Sequence, residues 1–129
     1  MSEKVFEVHA EYTVRLTTEN VDDIMVSALE GGVNYWCCEA AVVEERRCAD
    51  WGHEQIARGG ALILHDAESN DEWTLDIEKF TKGFRLWLEN GDDRNGAVSG
   101  DGTVDTGEID SEMADLIIQY ALFGEPVFG

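Results

Sequence analysis

The stretch "ALILHDAESNDEWTLDIEKFTKGFRLWLEN", residues 61–90, decides the predicted fold of this chain. Its first half contains two runs typical of short β-strands, "ALILHDAE" and "EWTLD", and the polar residues "SNDE" between them predict a hairpin turn. In its second half apolar side chains recur at helical spacing, with charged side chains between them. The predicted helix begins at Asp76 or Ile77 and ends near Glu89. Its apolar stripe consists of Ile77, Phe80, Phe84, Trp87 and Leu88.

Upstream of this stretch the chain opens with a predicted strand and helix. Residues 6–16 alternate between apolar and polar side chains, a pattern typical of a long, half-buried strand. The following helix is predicted to be capped by Thr18 or Asn20. It should stop at Gly31 and Gly32, because glycine adopts the left-handed conformation that closes helices.

The central part of the chain predicts one more strand and one short helix. The strand runs around residues 35–43, where β-favouring residues show partial alternation. The short helix lies in "CADWGHEQIARGG", residues 48–60, and is closed by Gly59 and Gly60.

The last forty residues predict a long loop and a final helix. Residues 90–109 are rich in Gly, Asp and Ser, with little apolar material to pack, which is typical of a functional or mobile loop. Asp110 or Ser111 caps the final helix, Gly124 and Pro126 stop it, and residues 127–129 are expected to pack back on the domain. The order of elements predicts one α+β domain over residues 1–129, with a mostly antiparallel sheet of about four strands covered by helices.

Charge is the strongest compositional signal. The chain has 28 Asp and Glu residues against 9 Lys and Arg residues, a formal net charge of -19. Such a field repels phosphate backbones and anionic membranes, so direct binding of nucleic acid or membrane is not expected. It attracts basic surfaces, although acidity of this kind also serves solubility alone.

The chain also carries the features expected of a soluble cytoplasmic protein. The opening "MSEKVFEVHA" has no positively charged segment followed by an apolar run, so no signal peptide is expected. No apolar stretch approaches the roughly 20 residues that span a bilayer. The odd number of cysteines, Cys37, Cys38 and Cys48, fits a reducing compartment.

Acidic residues concentrate in two segments, residues 89–115 and residues 66–78. The first contains nine carboxylates and one cation, Arg94. If both segments share one side of the fold, their carboxylates would imitate the phosphates of a nucleic acid and occupy a basic groove on another protein. The residues predicted to form this partner-binding surface are Asp92, Asp93, Asp101, Asp105, Glu108, Asp110 and Glu112.

A second candidate site is a ligand pocket of aromatic and basic side chains. It would hold a small nucleotide by stacking and by charge-assisted hydrogen bonds. The residues predicted to line it are Tyr35, Trp36, Arg46, Arg47 and Trp51.

No motif indicates a reaction, a cofactor or a metal site. The calcium-loop pattern over residues 101–112 has Thr106 where the motif requires glycine. The cysteines lack a CxxC pair, and neighbouring residues of a strand point to opposite faces, so Cys37 and Cys38 cannot readily share one ion. We therefore expect a non-enzymatic protein without cofactor or metal.

Four segments resemble a family of small acidic proteins carried by bacteriophages and prophages. They are "ALEGGVNYW", "QIARGGALILHD", "LDIEKFTKGFRLWLENG" and "DLIIQYALFGEPVFG". The resemblance implies an accessory phage product that acts by binding inside a bacterial cell. Two functions are consistent with it: inhibition of a host defence or nucleic-acid-binding protein, such as a CRISPR effector, and sequestration of a small nucleotide signal.

Overall fold

A three-stranded antiparallel sheet and three α-helices make up the computed structural model, which describes residues 3–129. Their bounds are α1, Thr18–Ser27; β1, Cys37–Val42; β2, Leu62–Asp66; β3, Glu72–Leu75; α2, Ile77–Glu89; and α3, Ser111–Phe123. The strands lie in the order β1–β2–β3. The α+β fold and its antiparallel sheet are confirmed, with three strands where about four were predicted.

The predicted hairpin and the helix that follows it are confirmed. Leu62 pairs with Leu75 and Leu64 pairs with Trp73 across β2 and β3. The Asp76 side chain then caps α2 by accepting a hydrogen bond from a backbone N–H in the first turn. The hairpin and the helix are contiguous in sequence, and their sequence patterns predicted the bounds of each element to within two residues.

Helices α2 and α3 pack closely on each other. Phe80, Phe84 and Trp87 of α2 are buried, as is most of α3. The contact is close at Gly83, where an added Cβ atom would lie 2.5 Å from the backbone nitrogen of Ala121. A larger residue at position 83 would therefore push the two helices apart.

Helix α1 differs from its prediction at both ends. Its cap is Thr17, which exchanges backbone-to-side-chain hydrogen bonds of 3.0 Å with Asn20 in each direction. After Ser27 the helix widens into one π-helical turn, Ala28–Gly32. The predicted reason for the glycines is wrong, because neither Gly31 nor Gly32 has a positive φ. Glycine is needed at position 32 because a Cβ there would collide with the carbonyl oxygen of Ser111.

The predicted strand over residues 6–16 is absent. Residues 3–17 contain no regular element, and the side chains of Phe6 and Val8 are 82% and 86% exposed. Alternation supplies one apolar face, but a strand also needs a neighbouring chain that accepts its backbone hydrogen bonds. No described segment lies beside residues 3–14 in that way.

The predicted short helix of residues 48–60 is instead two 3₁₀ turns, Gly52–Glu54 and Ile56–Arg58. Gly59, with φ of 94°, ends the second turn as the left-handed residue. The buried side chain of Gln55 holds the segment together by accepting from the Cys48 backbone N–H at 3.0 Å.

The long loop over residues 90–109 is better packed than its composition predicts. Ala97 and Ile109 are buried in the main core, and Val98 and Val104 form an isolated antiparallel bridge. A 3₁₀ turn, Thr106–Glu108, leads into α3. A few small apolar residues are thus enough to fix the loop on the domain.

The close approach of α2 and α3 predicts the effect of Gly83→Ala. Alanine is the better helix former, by up to about 1 kcal/mol, so propensity alone would stabilise the variant. The collision with Ala121 should reverse the sign and reduce the free energy of unfolding by about 1–3 kcal/mol, measured by urea denaturation. Gly52→Ala is the matched control, because nothing lies within 4 Å of its added Cβ. A Gly83→Ala protein that unfolds at higher urea than the wild type would contradict this packing.

Candidate functional site

Most of the predicted acidic residues first serve to build the loop that carries them. The Asp93 carboxylate accepts from the backbone N–H groups of Ala97 and Val98 at 2.8 and 3.0 Å. Asp101 accepts from both the backbone N–H and the hydroxyl of Thr103, at 3.0 and 2.7 Å. These bonds fix two turns without help from a regular element.

Two more of these aspartates cap helical turns. Asp105 accepts from the Gly107 backbone N–H at 3.0 Å, and Asp110 caps α3 by accepting from Met113 at 2.8 Å. Aspartate is favoured at both positions because its charge also complements the positive end of the helix dipole. The two glutamates, Glu108 and Glu112, are exposed, and their side chains accept no hydrogen bond from residues 3–129.

Helix α1 contributes to the same surface. The Thr106 hydroxyl donates to the Asp23 carboxylate at 2.7 Å, and the Asn20 side chain donates to the Val104 carbonyl oxygen at 3.4 Å. These contacts lay the loop beside α1, so that the Asp23 carboxylate joins those of the loop.

We call the resulting surface the acidic face. Its six members are all exposed: Asp23, Asp101, Asp105, Glu108, Asp110 and Glu112. Within residues 3–129, the ion pairs formed at 4.0 Å or less involve none of the six. The hydrogen bonds from Thr103 lower the pKa of Asp101, which keeps that carboxylate ionised. The acidic face therefore holds uncompensated negative charge on an ordered backbone.

Asp92 lies apart from the acidic face and has a different role. Its carboxylate accepts from the Tyr120 hydroxyl at 2.6 Å, which ties the start of the loop to α3. Burial and this hydrogen bond raise the pKa of Tyr120 to about 12.

The second acidic segment, residues 66–78, ends far from the point where the first begins. It ends at the beginning of α2, whereas residues 89–93 follow the other end of that helix. Thirteen helical residues separate the two ends by about 20 Å. The acidic face thus belongs to α1 and the loop over residues 90–112.

The structure does not bring the predicted ligand-pocket residues together. Tyr35 and Trp36 precede β1, while Arg46 and Arg47 follow it, and a six-residue strand is about 20 Å long. Trp36 is only 3% exposed and belongs to the core. It therefore cannot stack on a ligand.

The two arginines are engaged within their own segment. Arg47 forms a two-pronged ion pair with Glu44, at 2.7 and 2.9 Å, and Arg46 donates to the Gly59 carbonyl oxygen at 3.1 Å. Trp51 is 65% exposed on the first 3₁₀ turn. The predicted pocket was assembled from residues of suitable type. The fold instead places its first two aromatic residues before β1 and its two arginines after β1.

A buried polar cluster centred on Asp115 was missed at the sequence level. Its carboxylate is 5% exposed and accepts from the Tyr35 hydroxyl at 2.6 Å, the Trp36 indole N–H at 2.8 Å and the Gln119 amide at 2.9 Å. These three donors satisfy the hydrogen-bonding capacity of the buried carboxylate. The available signal was the pair Asp115 and Gln119, four residues apart on an otherwise apolar helix face.

The same cluster holds the last residues of the chain. The Gln119 side-chain oxygen accepts from the backbone N–H groups of Val127 and Phe128 at 2.7 and 2.8 Å. The Phe128 ring stacks on Trp36 with centroids 4.9 Å apart and planes 2° from parallel. The prediction that residues 127–129 pack back on the domain is confirmed at Phe128.

A cavity of about 400 Å³ lies beside the cluster, between the π-helical turn and α3. Tyr35, Glu112 and Asp115 line it together with Gly32. Burial and the hydrogen bond to Asp115 raise the pKa of Tyr35 to about 12. Near neutral pH the phenol therefore stays protonated, which suits it to holding Asp115 rather than to acid–base chemistry.

Comparisons with known proteins add no relative. No protein-family model, curated protein or solved structure matches the chain. Among residues 3–129, no three His, Cys, Asp or Glu side chains are grouped so that they could hold a metal ion. None of the helices described is both long and apolar enough to cross a membrane.

The two carboxylate–tyrosine pairs predict a reciprocal pair of pKa changes. Asp115→Asn should lower the pKa of Tyr35 toward its ordinary value of 10.0 and leave Tyr120 near 12. Asp92→Asn should lower the pKa of Tyr120 and leave Tyr35 unchanged. NMR titration of ring-labelled tyrosine resolves the two residues. An unchanged Tyr35 in Asp115→Asn would show that the carboxylate does not control the phenol.

The raised tyrosine pKa values also predict how stability depends on pH. The folded state favours the neutral phenols, so their contribution is fully present below pH 10.0, the unfolded value. It is lost as the pH rises from there through about 12. The urea midpoint of the wild type should fall over this range, and the fall should be smaller in Asp115→Asn. Equal slopes for the two proteins would contradict the assignment.

Proposed function

We propose that this chain is a non-enzymatic accessory binding protein of phage type, acting in the cytoplasm of a bacterial host. It inhibits a host defence or nucleic-acid-binding protein, in the manner of an anti-CRISPR protein, by covering the basic surface that would hold nucleic acid. The observation that supports this most is the acidic face: six exposed carboxylates with no cation of residues 3–129 within 4.0 Å.

Order in the acidic face makes it suited to binding. A flexible acidic tail loses conformational entropy when it binds, whereas carboxylates already fixed in position lose little. Asp101, Asp105 and Asp110 are each held by hydrogen bonds within the loop. Their charges are thus presented in one arrangement, as the phosphates of a duplex are.

The net charge of the whole chain supports the same choice of partner. At -19, the chain repels phosphates and anionic lipids, and it attracts cationic grooves over distances set by salt screening. Association should therefore be fast at low salt and should weaken as salt increases. The assignment to phage proteins rests on the resemblance of four sequence segments.

The test uses the intact protein as bait in a lysate of a bacterial host at low salt. Retained proteins should be nucleic-acid-binding proteins, and they should be released both by salt and by added duplex DNA, because DNA competes for the same basic surface. Glu108→Lys/Glu112→Lys should reduce retention at least tenfold. These two residues are suited to the test because their side chains accept no hydrogen bond within residues 3–129, so the substitutions break none.

The matched control reverses two charges elsewhere. Glu68→Lys/Asp71→Lys makes the same change in net charge on the exposed turn between β2 and β3. If binding depends on the acidic face, this control retains its partners. Equal loss in both variants would show a response to net charge alone, and partners that added DNA fails to release would exclude mimicry of a nucleic acid.

A further inference from the structure

The first residues described form an arm whose large apolar side chains are mostly exposed. Val5, Phe6, Val8 and Tyr12 are 82%, 82%, 86% and 60% exposed. We call residues 3–12 the N-terminal arm. Large apolar side chains exposed in series are uncommon on a monomeric protein and mark a surface for association.

The arm leaves the domain from a fixed point. The Arg15 backbone N–H donates to the Gly102 carbonyl oxygen at 2.8 Å. Gly102, with φ of 87°, lies so close to the backbone of Thr13 that a Cβ atom would collide with its carbonyl oxygen. Val14 and Leu16 then pack against the core. The base of the arm is therefore anchored, although residues 3–12 make no backbone hydrogen bond to the described chain.

A groove of about 990 Å³ lies beside this base, and we call it the α2 groove. Tyr12, Val14 and Leu16 line one side of it, and Phe84 and Leu88 of α2 line the other. The groove is apolar at its floor and open to solvent. It has the size and chemistry to receive an extended segment with alternating apolar side chains.

The arm is acidic, whereas cationic side chains gather at the groove and along α2. The arm has three glutamates and one lysine. Arg15 and Arg85, two of the nine cationic residues of the chain, line the groove beside the carboxylates of Glu11 and Glu89, and Lys79 and Lys82 lie elsewhere on the exposed side of α2. Glu89 pairs with Arg85 at 3.6 Å, but both side chains are exposed, so the pair is weak. In so acidic a chain, these four cations offset part of the repulsion that an acidic segment would otherwise meet here.

We propose that two copies of the chain exchange N-terminal arms, each arm lying in the α2 groove of the other copy. A chain cannot fill its own groove in this way, because Tyr12 already forms the wall and residues 5–8 lie exposed beyond it. Exchange between two copies is reciprocal, so both grooves are filled and the assembly closes as a symmetric dimer.

The area available is sufficient for a stable dimer. Each arm brings the exposed side chains of Val5, Phe6 and Val8, and each groove contributes the exposed Tyr12 of its own wall. A buried aromatic side chain covers about 150–250 Å², so the four aromatics of a dimer alone approach half of a standard interface of about 1,600 Å². The aliphatic side chains and the facing groove surfaces supply the rest.

The mass of the intact protein in solution tests the proposal. Sedimentation equilibrium over a concentration series should give twice the 14.4 kDa mass of the chain. Val8→Glu should raise the dissociation constant at least tenfold, because a charge would enter the groove. His9→Glu is the matched control: it adds the same side chain at the neighbouring exposed position, on the polar side of the arm, and should leave the dimer intact.

A mixing experiment identifies the groove itself. Arg85→Glu and Glu7→Arg should each weaken the dimer, since like charges then meet in both interfaces. An equimolar mixture of the two variants should recover dimers, because both arms of a heterodimer then face the opposite charge. A monomeric wild type at the highest attainable concentration would overturn the proposal. So would a dimer that Val8→Glu leaves intact, or variants that do not recover on mixing.

Discussion

The buried carboxylate of Asp115 connects parts of the chain that are otherwise far apart in sequence. It receives hydrogen bonds from Tyr35 and Trp36, which lead into the sheet, and from Gln119 on its own helix. Gln119 in turn holds the backbone of Val127 and Phe128. The charge tolerates burial because three donors surround it, and loss of any one donor would leave it under-satisfied. The sheet, α3 and the last residues of the chain are thus fixed relative to one another at one point.

Carboxylates also order the outside of the molecule. In the loop over residues 90–110, Asp93, Asp101, Asp105 and Asp110 each accept a backbone N–H that no helix or strand would otherwise satisfy. The same residues add to the self-repulsion of a chain with net charge -19. Local hydrogen bonding outweighs that repulsion, since each bond acts at about 3 Å while most of the charges are screened by solvent. The carboxylates of the acidic loop therefore both order its backbone and produce a negative electrostatic potential at its surface.

Much of the fold could be predicted where pattern and neighbours coincide in sequence. The β2–β3 hairpin, α2 and α3 lie within a few residues of their predicted bounds, because each buries an apolar face against elements close by. The prediction of a strand over residues 6–16 is wrong, because an alternating pattern does not show whether a neighbouring strand is present to pair with it. The predicted reason for a glycine at position 32 is wrong. Glycine is required there because the carbonyl oxygen of Ser111, almost eighty residues away in sequence, leaves no room for a Cβ atom.

In the candidate site, too, some features could be predicted from the sequence and others depend on contacts between distant residues. The acidic residues of the loop were visible as a charge pattern, but their turn-forming role and the contribution of Asp23 depend on tertiary contacts such as the one from Thr106. Trp36 and Arg47 were grouped by residue type, and the fold separates them by the length of β1. Hydrogen exchange of backbone amides measures whether the loop is ordered as described. The N–H groups of Ala97 and Val98 donate hydrogen bonds to the Asp93 carboxylate. In the monomer they should exchange much more slowly than the N–H groups of residues 5–12. Exchange at the unprotected rate at Ala97 and Val98 would mean that the carboxylates do not hold the acidic face in one arrangement.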